Sequence, residues 1–244
     1  VFRRLADNWV ITEWLRSVPQ MILDNESSIQ TECENMFLEL VLERISRAAA
    51  ASKRERFSVE AKANLELELE SIFPEGVLLL LKEMSDVDVS SSVKKVCRNL
   101  GKKGKITAAV ALALQNIITT SESLWLSRGL GVEKWVAPAG AWMLLSIISE
   151  FLPKAVGWKF LQHHWQLLDK PTDLQSNAYV TPLSNNNNRE TDEPDPVCIS
   201  WAGDRVFLLQ TISNVALELP PEAAANLAHD LLSRLEAFDM HPTE

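Results

Sequence analysis

Trp14-Leu15-Arg16-Ser17-Val18-Pro19-Gln20-Met21-Ile22-Leu23-Asp24 is the stretch whose reading decides the fold class. Together with Trp9 and Val10, the apolar residues Trp14, Leu15, Val18 and Ile22 recur at helical spacing. Pro19 lacks a backbone donor, so it marks a kink or break in that unit. Asp24 or Asn25 then supplies a side-chain acceptor for the start of a second helix. The apolar stripe of that helix is Ile29, Cys33, Met36, Phe37, Leu40 and Ile45. Helix, proline, acidic turn and helix describe two helices folded back on each other.

The order acidic turn, apolar residue and cysteine occurs twice. Asp24 is followed by Ile29, Cys33 and Phe37, and Asp88 by Val93, Cys97 and Gly101. An Asp in the tight turn caps the second helix, and a small Cys lets that helix approach its neighbour. The two Asp residues lie 64 positions apart, more than the roughly 40–47 of common helix-pair repeats. An insertion over residues 48–73 accounts for the excess.

The same periodicity continues. A short Leu-dense helix covers 75–84, and one capped by Ser90, Ser91 or Ser92 runs to about Leu100, where Gly101 stops it. Helices over 105–120 and 121–128 follow, and Pro138 opens one over 139–151 that is apolar nearly all round. Residues 156–168 form its partner. Residues 169–196 hold Asn185 to Asn188 and four prolines with few apolar anchors, the composition of a mobile polar loop. A last helical pair covers 197–244, with Pro220-Pro221 at its corner. Strand alternation and hairpin-turn dipeptides are nearly absent.

Bulk composition narrows the function classes. Of 244 residues, 46% are hydrophobic, enough for a sizeable core, and the net charge of −9 excludes a general polycation. No apolar run approaches the ~20 residues that span a bilayer, and no signal peptide opens the sequence. Cys33, Cys97 and Cys198 are few, odd in number and far apart, which predicts reduced thiols in the cytosol or nucleus. Val1 in place of Met predicts a fragment of a longer protein.

The segment from Trp14 through Asp24 to Ile29 and Cys33 resembles a HEAT repeat. The usual Arg after the apolar position is Gln30 here and Lys94 in the second copy, so only the second keeps the charge. A narrower resemblance is to the D-type HEAT subunits of condensin II in their plant-like form. It is carried by Ser123-Leu124-Trp125, by Ala139 to Ser146, by Trp158-Lys159-Phe160-Leu161 with Trp165, and by Thr211 to Leu219. This resemblance implies a non-SMC regulatory subunit that binds kleisin, contacts DNA and compacts mitotic chromosomes in the nucleus.

The strongest local feature is basic. Lys94, Lys95, Arg98, Lys102, Lys103 and Lys105 cluster at a helix end and the turn after it. There they suit the negative end of the helix dipole, and they are candidates to neutralise DNA phosphates without reading bases. A solvated helix terminus is the plainer reading. A second group, Arg44, Arg47, Lys53, Arg54 and Arg56, is diluted by Glu43 and Glu55. Exposed parts of Trp9, Trp14, Trp158 and Trp165 are candidates for a peptide groove, against the simpler reading of core tryptophans. Thr181-Pro182 has the form of a proline-directed phosphorylation site.

Catalysis finds no support. Gly101-Lys102-Lys103-Gly104-Lys105 lacks the spacing and the Ser/Thr of a phosphate loop. His163 and His164 are neighbours, about 100° apart on a helix, a poor arrangement for sharing a metal. No nucleophile, base and orienting group occur together. The expectation is an all-α, HEAT-type α-solenoid of four or five helix pairs with no cofactor, metal, small-molecule substrate or membrane span. It acts as a condensin II scaffold that holds kleisin and touches DNA. The rival is a HEAT scaffold for transport or signalling that binds peptides without DNA.

Overall fold

The computed structural model describes residues 8–52, 65–167 and 196–237. Among these, every regular element is helical. The candidate phosphorylation residue Thr181, most of the loop over 169–196, and Lys53, Arg54 and Arg56 lie outside the described residues. Both ends of the expected insertion are helical, since α3 (Glu43–Ser52) runs into it and α4 (Leu65–Ile72) leaves it.

Helix α1 (Asn8–Ser17) stops before Pro19, and a 3-10 turn, Pro19–Leu23, takes the chain to Asp24. Asp24 Oδ1 accepts from the amide of Glu26 at 2.8 Å, closing the turn just before α2 (Ser27–Phe37). The same device recurs at Asp86, whose Oδ1 accepts from the amide of Asp88 at 3.0 Å to cap α6 (Val87–Lys102). The acid of the second turn is therefore Asp86, and Asp88 lies in the first turn of the helix. The α2 axis continues through a π-helical stretch, Leu38–Leu42, into α3. Cys33 is buried against the 3-10 turn, its Sγ donating to the carbonyl of Val18 at 3.2 Å. A thiol at this position permits that close approach.

The core centres on α8 (Ala141–Ser149). All nine of its residues are buried, because it packs against α5 (Val77–Met84), α6, α7 (Ala108–Ser127) and α10 (Pro196–Val215). Such surroundings leave no solvent-facing side, which is why the helix is apolar apart from Ser146 and Ser149, whose hydroxyls donate to the backbone carbonyls of Met143 and Ser146. Gly140, at φ 79°, starts the helix, and a Cβ on it would lie 2.0 Å from the carbonyl oxygen of Leu81. Only glycine satisfies both the backbone angle and the space.

Around α8, α1 lies on α5, α3 on α7, and α2 on α6. Helix α9 (Trp158–Leu167) packs on α10, and α11 (Pro221–Glu236) rests its Ala224, Leu227 and Leu231 on the core. Of the tryptophans considered for a groove, Trp165 is buried, Trp14 and Trp158 are half-buried, and Trp9 is exposed. Trp165 Nε1 donates to Asp230 Oδ2 at 2.6 Å, tying α9 to α11. No helix among the described residues is long and apolar enough to cross a membrane.

Candidate functional site

Helix α6 carries the basic cluster because its two faces differ. Val89, Val93, Val96, Cys97 and Leu100 form the buried stripe, at the spacing that puts side chains on one side of a helix. Lys95, Arg98 and Lys102 fall on the exposed side at i, i+3 and i+7. The helix passes through Gly101 and ends at Lys102, two residues later than the sequence predicts. A Cβ on Gly101 would lie 2.3 Å from the ring of Phe151, so this glycine serves close packing. The stop is Gly104 at φ 63°. The amide of Lys105 bonds the carbonyl of Leu100 at 2.9 Å and the amide of Gly104 that of Gly101 at 2.9 Å, a Schellman termination.

The six candidate residues divide by partner. Lys103 Nζ donates to Glu34 Oε2 at 2.6 Å, and Asn99 Nδ2 donates to Glu34 Oε1 at 3.2 Å. Glu34 is 1% exposed, so Lys103 neutralises a buried carboxylate on α2. Lys105 Nζ donates to Asn35 Oδ1 at 3.1 Å on the same helix. Arg98 makes a two-point contact with Glu150, at 3.2 and 3.0 Å. The hydrogen bond and the charge of Glu150 raise the guanidinium's pKa above its ordinary value. Lys94 Nζ stands 5.7 Å from the centre of the Phe207 ring. Lys95 and Lys102 are exposed and seven residues apart, about 10 Å along the helix. Glu34 and Glu150 thus offset two of the six charges, and the accessible field centres on Lys95 and Lys102.

The second basic group is structural where it is described. Arg44 is buried with its Nε 3.5 Å from Glu75, and Arg47 reaches both Glu43 and Glu75. Burial lowers the pKa of Arg44, partly countered by the charge of Glu75.

A different polar cluster joins α7 to α9. Glu122, 6% exposed at its side chain, faces His163 and His164. His163 Nε2 lies 2.8 Å from Glu122 Oε1 and 3.0 Å from Oε2. His164 Nε2 lies 3.4 Å from Oε2. Burial pushes the carboxyl of Glu122 up, but the two imidazoles outweigh it and hold its pKa below the usual value. The rings of Trp135, Trp142 and Phe160 stand around His164 at 5.9, 5.4 and 4.3 Å. Two adjacent histidines point apart on their own helix, as the sequence indicates. They meet here because Glu122 enters the angle between them from α7. The paired histidines are visible in the sequence, but their partner stands 41 residues away and carries no local signal.

With this geometry in place, the chain's relatives bear on its reading. It is 52% identical over 250 aligned residues to Condensin-2 complex subunit CAP-D3 of Arabidopsis thaliana, an alignment that takes in the whole chain. The chain matches a segment of a condensin II subunit. That segment is 18% of the relative's length, and the likeness extends well beyond the stretches after Ser123, into α1 to α6. No protein-family profile matches the chain, and no solved structure does.

Proposed function

We propose that this chain is a non-catalytic scaffold segment of condensin II, built as a HEAT-type α-solenoid. It holds the kleisin chain and contacts DNA without sequence preference in chromosome condensation. The observation that carries the reading is the 52% identity across the whole chain to a condensin II subunit. Repetition of the same Asp turn at Asp24 and Asp86 supports the repeat architecture. The exposed Lys95 and Lys102, with Arg98 between them held by Glu150, support a phosphate contact, since cations on one helix face neutralise a backbone without reading base edges. The setting is the nucleus, on chromosomes, and Thr181 is the proposed site of regulatory phosphorylation.

The test is capture of the condensin II kleisin by this chain, beside a peptide ligand of an unrelated HEAT protein. Selective capture is expected. Equal capture of both would favour a general peptide scaffold, and capture of neither by a chain that is helical by circular dichroism would sink the kleisin assignment.

A further inference from the structure

We propose that Glu122, His163 and His164 form a binding site for a divalent metal ion of the zinc class, which fastens α9 to α7. The tautomer of His164 begins the argument. His164 Nδ1 stands 2.8 Å from the carbonyl oxygen of Phe160, a group that only accepts, so Nδ1 carries the proton and donates. In the neutral ring Nε2 is then a lone pair. It is 1% exposed with its residue, makes no hydrogen bond, and lies 3.4 Å from a carboxylate oxygen of Glu122. A nitrogen lone pair and a carboxylate inside a protein need a positive centre between them, either a second proton on His164, which pairs it with Glu122, or a metal ion.

A metal ion supplies that centre for all three side chains at once. The ligand atoms of Glu122, His163 and His164 lie within 4.8 Å of one another. Ligand atoms on a tetrahedral zinc, with bonds of about 2.0–2.2 Å, stand about 3.3 Å apart. The separation between His164 and Glu122 already has this value. His163 stands closer to the carboxylate but farther from His164, since the three ligand atoms span up to 4.8 Å, and its ring would swing by about 1 Å or more to close on an ion. Its side chain is 53% exposed and has room to do so. The hydrogen bond from His164 Nδ1 to a backbone carbonyl is the outer-shell contact that orients a metal-bound imidazole. The aromatic rings around His164 keep water from that side, leaving the fourth position toward the exposed edge of His163. Two nitrogens and one carboxylate oxygen suit zinc better than calcium or magnesium, which favour all-oxygen shells. The site is independent of the condensin assignment.

The experiment uses the tag-free chain after removal of metals with a chelator. Added Co2+ should give the visible absorption of a four-coordinate nitrogen and oxygen site, and one equivalent of Zn2+ should displace it. At a hundredfold excess over the dissociation constant, Zn2+ should raise the thermal midpoint by about 5–10 °C. His163→Ala removes a half-exposed side chain, so the variant should fold, and it should weaken metal binding at least about tenfold. Glu122→Gln should do the same. A folded chain with no Co2+ spectrum and no Zn2+ stabilisation would mean that a proton alone fills the gap, and would overturn the proposal. Unchanged affinity in a folded His163→Ala variant would place the metal elsewhere and overturn it equally.

Discussion

Lys103 Nζ lies 2.6 Å from the carboxylate of Glu34, so a lysine from a surface cluster neutralises an acid that is almost wholly buried. Lys103 itself is 49% exposed, which screens the pair and reduces its worth below that of a fully buried one. Lys103→Met should cost about 1–2 kcal/mol, a fall of about 2–8 °C in the melting temperature. Adding Glu34→Gln should recover most of that loss, because the buried charge disappears with its partner. Calorimetry of the two single variants and the double variant measures the coupling. Additive losses would show that the two side chains do not act together.

Charge reversal for a DNA test must therefore avoid Lys103. Lys95→Glu with Lys102→Glu should weaken DNA binding and lower the melting temperature by only a few degrees, the cost of placing a carboxylate at the negative end of the α6 dipole. If each lysine neutralises one phosphate, the slope of log K against log salt should become shallower by about 2. A salt titration by fluorescence anisotropy reads this directly. An unchanged slope would remove α6 from the DNA surface.

The start of the central helix gives a sharper stability test. Gly140→Ala forces a left-handed backbone angle on a residue with a Cβ and drives that Cβ into the carbonyl of Leu81. The loss should be about 3 kcal/mol, seen as a melting temperature lower by about 6–12 °C. A variant as stable as the parent would mean that the Gly140 turn does not pack on α5.

The described thiols should be inert. Burial pushes Cys97 up to about 12, and burial with the charge of Glu34 pushes Cys33 up to about 11. At about pH 8 the thiolate fraction of either is then on the order of one in a thousand or less. Peptide mapping after iodoacetamide should find both unmodified in the folded chain and both alkylated in guanidinium. Rapid alkylation of Cys97 under native conditions would contradict the α6 packing.

What the sequence settled by itself is local in origin. The spacing of Cys33 and Phe37 and of Val93 and Cys97 fixed which helix faces turn inward, because helical periodicity needs only near neighbours, while Ile29 of the same expected stripe is only half-buried. The turn acid before α2 and the break at Pro19 were legible for the same reason. The end of α6 was misplaced: Gly101 and Gly104 look alike in sequence. Only the approach of Phe151 shows that the first serves packing and the second the positive φ. Tertiary structure alone decided which charges of the basic cluster remain available. Lys103 and Glu34 are 69 residues apart, and Arg98 and Glu150 are 52 apart. It also joined Glu122 to His163 and His164. Pairs so far apart along the chain meet only once whole helices dock, and the apolar faces that drive docking carry no record of the polar partners brought with them.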